Sequence, residues 1–182
     1  MMQKSDADIL IQRAKALASA RADSSSYIDA AHDRYLVAVC GTERIVVALE
    51  SVVEVFRPSS ITPIPRSVAP LWGLTPWRGS ILPVIVIGQS LPEQGSGVII
   101  TLATGPRVIA GLWANEVEEE IAIGKDEIHA ASAATGIRES LVSGVTSDAK
   151  SVFDAESLAR LLDERTKEKD RTPVHNSTGT QV

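Results

Sequence analysis

Side chains able to titrate, attack or ligate are few in this sequence, and they stand apart. The three histidines, His32, His129 and His175, fall in a linker, an Ala/Ser-rich loop and a tail. None has ligand spacing or a nearby partner, so no metal site is expected. The single cysteine, Cys40, ends the apolar run LVAVC. Buried in a strand it would make a poor nucleophile, and one thiol builds neither a disulfide framework nor a thiolate metal site. No nucleophile elbow, P-loop or dinucleotide fingerprint occurs, and Gly95-Ser96-Gly97 precedes a strand, the wrong order for cradling phosphate. Asn115-Glu116 and the acids Glu118, Glu119 and Glu120 suggest acid–base or Mg²⁺ chemistry only with a second cluster, which is missing; they read as a solvated patch. The residues give no sign of an enzyme and imply no cofactor.

One residue stands out for binding instead. Arg78 sits in LWGLTPWRGSILPVIVI, residues 71–87, the most apolar stretch of the chain. A guanidinium there must keep its head in water or find a partner. Two readings are open: Arg78 pairs across the sheet with Glu54 or Glu50, or with Trp77 it anchors a partner, since Arg and Trp are enriched at interface anchors. The stretch itself reads as two strands joined by a Gly79 turn, because β-branched residues flank a residue that tolerates positive φ. Pro83 within the second strand points to an edge or a bulge.

The remaining elements must position that hairpin. Residues 35–40 and 44–49 flank Gly41-Thr42-Glu43, a hairpin signature. Residues 51–56 form a further short strand or turn. The segment RPSSITPIPR is an extended connection, since three prolines in eight residues forbid helix. One helical turn is expected over 67–71 and a polar loop over 89–97. Strands follow at 98–103 and 107–113, then at VEEEIAI, then an Ala/Ser-rich loop over 124–136. ESLVSGV and KSVF come next, and Asp154 caps a final helix carrying Leu158, Leu161 and Leu162. Nine or ten short strands in two groups, split near 89–97, suit small barrels or a sandwich, and two barrel subdomains sharing a core is the more specific form.

Before this block, residues 5–22 read as an Ala-rich amphipathic helix with Leu10, Ala14, Leu17 and Arg21 on one face, either docked on its own domain or awaiting a partner. The expected organisation is a flanking helix and linker over 1–33, one domain over 34–165, and a disordered tail over 166–182. With 182 residues, 44% apolar and 4% aromatic content, the core must be mostly Val, Ile, Leu and Ala. A net charge of −5 without a basic run argues against nucleic acid. No signal peptide or bilayer-length apolar run appears, so direct membrane insertion is not expected and the protein reads as cytoplasmic. The sequon Asn176-Ser177-Thr178 is a chance match on that reading.

In order, YLVAVCGTERIVVALESVVEV, ITPIP, WGLTPWRGSILPVIVIGQSL, VIAGLWANEVEEEI, LVSGV and VFDAESLARLL resemble the CheW-like coupling domain of bacterial chemosensory arrays. The resemblance implies an all-β fold of two five-stranded SH3-like barrels with a hydrophobic groove between them, and no catalysis. It implies an adaptor that docks onto the cytoplasmic tip of a chemoreceptor and onto the regulatory domain of a CheA-type histidine kinase. A regulator that binds the kinase but not a receptor, in a non-flagellar pathway, is the alternative. From another class, a small-molecule-binding or enzymatic barrel would need a closed pocket with convergent polar groups. Carried over by position, Gly73 and Arg78 match the receptor-facing glycine and the arginine of an Arg-Gly turn. Val52 and Glu54 match interface positions in the preceding strand, and Trp77 beside Arg78 tunes partner choice. Pro76, Val86 and Asn115 replace an Asn and two Asp of the family pattern, residues that fix local turns.

Overall fold

The computed structural model describes residues 32–87, 93, 95–130 and 139–171. The expected helix over 5–22, the linker up to residue 31, most of the loop over 88–94, the segment 131–138 and the tail from 172 lie outside the described residues. Within them the chain is mostly strand, as its β-branched runs require. It comprises β1 (His32–Cys40), β2 (Glu43–Ala48), β3 (Val52–Phe56), β4 (Thr62–Pro63), β5 (Leu71–Trp77), β6 (Ser80–Ile85), β7 (Val98–Thr104), β8 (Arg107–Ala114), β9 (Glu116–Gly124), β10 (Ile128–His129), β11 (Val142–Thr146), β12 (Ser151–Phe153) and α1 (Ala155–Arg171). Two of the twelve strands are only two residues long, which is why the sequence suggests fewer. No helical turn forms over 67–71, where a cis Ala69–Pro70 peptide leads into β5.

Two six-stranded sheets form, in the orders β10-β11-β12-β2-β1-β9 and β3-β7-β8-β6-β5-β4. Apart from the two-residue β10 and β4, each has five principal strands. The expected division near 89–97 is corrected by this topology. β7 and β8 follow that loop yet belong with β3–β6, because β7 pairs antiparallel with β3 and β8 parallel with β6. The second sheet is therefore inserted whole between β2 and β9 of the first. Pro83 sits in β6, an interior strand. It is tolerated because the β8 ladder begins only at Val84, where Val84 faces Gly111.

A shared core fills the space between the sheets. Ala38, Ile45 and Val47 come from the first, Ile85, Ile100 and Leu112 from the second, and Leu158 of α1 closes one end. Asp154 caps α1 as expected, its carboxylate accepting from Ser157 N at 3.0 Å. The helix runs on to Arg171, past the boundary at 165. Its last turns are densely charged, and intrahelical bonds carry them beyond the apolar stripe.

Cys40 belongs to this core at 1% exposure, its thiol directed at Trp113 O. Burial, with a smaller push from Glu43, raises its pKa to about 12. The fold thus holds the protonated form, while the unfolded chain releases the proton from its ordinary value of about 9 upward. This stabilisation is complete below pH 9 and is lost between roughly pH 9 and 12, at about 1.4 kcal/mol per pH unit. Urea unfolding from pH 8 to 11 should show the wild type losing stability faster than Cys40→Ala. Parallel slopes would mean that the thiol is accessible in the native state.

Candidate functional site

β5 and β6 meet at Trp77↔Ser80, leaving Arg78-Gly79 as a two-residue loop. Both loop residues have positive φ, 46° at Arg78 and 77° at Gly79, the geometry of a type I′ hairpin whose twist matches the flanking strands. Glycine adopts this freely. Arginine does not, so the β5–β6 pairing that closes the two-residue loop holds Arg78 there.

Its guanidinium donates to Glu54 Oε2 at 2.6 Å and lies 5.3 Å from the centre of the Trp77 ring. Trp77 Nε1 donates to the other oxygen of the same carboxylate. Glu54 therefore receives both of its neighbours' donors, and its pKa is held below the usual carboxylate range, by Arg78 first and Trp77 second. The pairing of Arg78 with Glu54 was one of two partners expected across the sheet. The second bond to the same carboxylate, from Trp77, was not foreseen, because an indole N–H carries no charge to call for a partner.

The contact also reports the shape of the second sheet. In the order β3-β7-β8-β6-β5, four inter-strand steps separate Glu54 from Trp77. In a flat sheet they would stand roughly 19 Å apart, beyond the reach of the two side chains. The sheet must curl until its edge strand β3 meets the hairpin tip. The hydrogen-bond ladder does not close the ring among the described residues, and the Glu54–Trp77–Arg78 cluster bridges the opening.

The expected site residues separate into two groups. Glu54, Trp77 and Arg78 converge at the surface, and half-buried Val52, at the start of the same strand as Glu54, packs against the shared core. Gly73 does not join them. It is buried, paired with Pro63, and a β-carbon there would lie 2.7 Å from Thr62 O and 3.0 Å from Ile61 Cγ2. Its visible role is to let β4 lie against β5. Val53 and Val55 were missed by sequence reasoning and are 43% and 40% exposed on β3. Period-2 alternation separates them from Val52 and Glu54, but with valines on both faces it does not tell which face is buried. Ile81, 63% exposed, pairs with exposed Pro76 just behind the tip.

Elsewhere, the acidic run of β9 is partly neutralised. Arg44 holds Glu118 at 2.9 Å, lowering its pKa, and Arg34 pairs with Glu120. Asn115 has a clear local role: its Oδ1 accepts from Gly41 N at 2.6 Å, bracing the β1–β2 turn. No group of three or more His, Cys, Asp or Glu side chains converges among the described residues. No helix among them is long and apolar enough to cross a membrane.

Fold and site together define a two-sheet β domain whose distinctive surface is a braced aromatic–arginine tip beside an apolar edge strand. The model of the CheW-like domain matches residues 34–165, and the chain belongs to that family. A similar solved structure is that of the scaffolding protein TtCheW from Thermoanaerobacter tengcongensis. It has a TM-score of 0.55 and 25% identity over 68% of this chain and 88% of that one. No curated protein matches the sequence.

Proposed function

We propose that this protein is a non-catalytic cytoplasmic adaptor, coupling chemoreceptors of the methyl-accepting type to a CheA-type histidine kinase in a bacterial chemosensory array. Family membership and the likeness to a scaffolding protein support the class. The observation that carries the reading is the placement of Glu54, Trp77 and Arg78 in one surface cluster next to exposed Val53 and Val55. Apolar residues rimmed by an arginine and a carboxylate suit the polar helical tip of a receptor or the face of a related β domain. Val52, Glu54, Trp77 and Arg78 form the partner-binding surface, and Gly73 supports it from below.

A second reading follows from the tip itself. Trp77 and Arg78 both give their donors to Glu54, which leaves fewer polar groups for an incoming receptor. On this reading the protein binds the kinase alone and acts in a non-flagellar pathway. Reconstitution with a receptor cytoplasmic fragment and the kinase decides between them. A coupler forms a ternary complex and changes kinase turnover. A kinase-only regulator forms the binary complex and displaces a true coupler from it. Formation of neither complex would sink both readings.

A further inference from the structure

A second surface lies at the far end of β5, roughly 20 Å from the Arg78 tip by strand length. There α1 and the β5–β6–β8 face enclose an open groove of about 810 Å³. Its floor is apolar, formed by Leu71, Pro83 and buried Ile109, and Val68, 66% exposed, stands at its edge. Ion pairing with Arg107, at 2.7 Å, ties Asp163 of α1 to β8, and Arg165 donates to Val68 O at 2.9 Å. These contacts tie the α1 wall of the groove to β8 and to the segment before β5.

We propose that this groove docks an amphipathic helix of a partner protein that carries acidic residues beside its apolar stripe. Three features select that occupant. The α1 wall presents Ala159, Leu162, Asp163 and Thr166, spaced i, i+3, i+4 and i+7, the ridge against which another helix packs, with Ala159 small enough for close approach. An extended peptide finds little to bond at the β5–β6 rim, since Leu71 N already donates to Val68 O and Pro83 has no N–H. A helix satisfies its own backbone and needs only side-chain contact. The charge is also selective. Arg66, Arg107 and Arg165 line the groove with a single Asp163, on a chain of net charge −5, and among the described residues no ion pair or side-chain hydrogen bond holds Arg66. Residues 5–22 of this chain carry Asp6 and Asp8 against Arg13, Lys15 and Arg21, the wrong sign for that rim. In a second copy, the charged end of α1 from Asp163 to Arg171 has four acids and four bases, with no net attraction to offer.

The test uses the full chain and two fluorescent synthetic peptides of about 18 residues sharing one Leu stripe, one flanked by Glu and one by Lys. The Glu-flanked peptide should bind at least tenfold more tightly, and added salt should narrow the difference. Arg66→Glu and Val68→Asp, both at exposed positions, should each weaken it at least tenfold. Arg78→Glu should leave it unchanged, which separates this groove from the adaptor surface. Equal affinity for the two peptides, indifference to Arg66→Glu and Val68→Asp, or no binding up to about 1 mM would overturn the proposal. So would binding that appears only after residues 1–31 are removed, which would make the chain's own N-terminal segment the occupant. A dimer dissolved by Val68→Asp would do the same in favour of a second copy.

Discussion

Arg78→Glu is expected to weaken partner binding at least tenfold while the melting temperature stays close to wild type. The side chain stands on an exposed hairpin tip, where an ion pair contributes little to folding because water screens it and ordering two long side chains opposes it. Its contribution to association is larger, since a guanidinium stacked on Trp77 and bonded to Glu54 is already ordered before a partner arrives. Reversing its sign puts two carboxylates together at the centre of the proposed surface. Glu54→Lys should act in the same direction. The combined exchange Glu54→Arg with Arg78→Glu restores the internal pair with the charges transposed, so it should keep near-wild-type stability without recovering affinity. The adaptor surface would be wrongly placed if each single change lowered thermal stability as much as binding and the exchange restored both.

Gly73→Ala is expected to destabilise the fold by roughly 2 kcal/mol or more, a shift of several degrees in melting temperature. The added β-carbon would meet the backbone carbonyl of Thr62 at 2.7 Å. A backbone atom in a paired strand cannot rotate away as a side-chain end can. Either β4 lifts off β5 or β5 shifts and carries the Trp77–Arg78 tip with it. Hydrogen exchange should report the change at Ile64 N, which donates to Trp72 O beside the β4–β5 pairing. Binding should fall with stability, and conditions that restore folding should restore binding. Wild-type stability with binding abolished would mean that a partner touches Gly73 directly, contrary to its burial here.

Much of this is legible in the sequence. Arg78-Gly79 announced a tight turn between apolar runs, Gly41 announced another, and Gly79 and Gly41 do take positive φ, 77° and 68°. Asp154 announced a helix start, and the ordered series of motifs pointed to the family to which the chain belongs. The pairing of Arg78 with Glu54 was foreseeable as one of two choices. What misled was order along the chain. Strands on either side of residues 89–97 look like two groups, yet β7 and β8 return to the strands before them. Gly73, matched by resemblance to a receptor-facing glycine, lies buried against β4 in the fold, and a glycine needed for close approach and one needed at a surface look the same in sequence.

By itself the sequence determined the local structure: strands where β-branched residues alternate or run together, turns where positive φ is demanded, a cap where a carboxylate can meet free N–H groups. These choices depend on a few consecutive residues, so a few consecutive residues reveal them. Only the tertiary structure decided which strands are neighbours, that the second sheet curls far enough for Glu54 to meet Trp77 and Arg78, and that α1 stands off β5–β6–β8 to leave a groove rimmed by arginines. Those outcomes depend on burial summed over the shared core and on contacts between residues tens of positions apart. Many pairings would satisfy the same local pattern, and packing of the whole selects one.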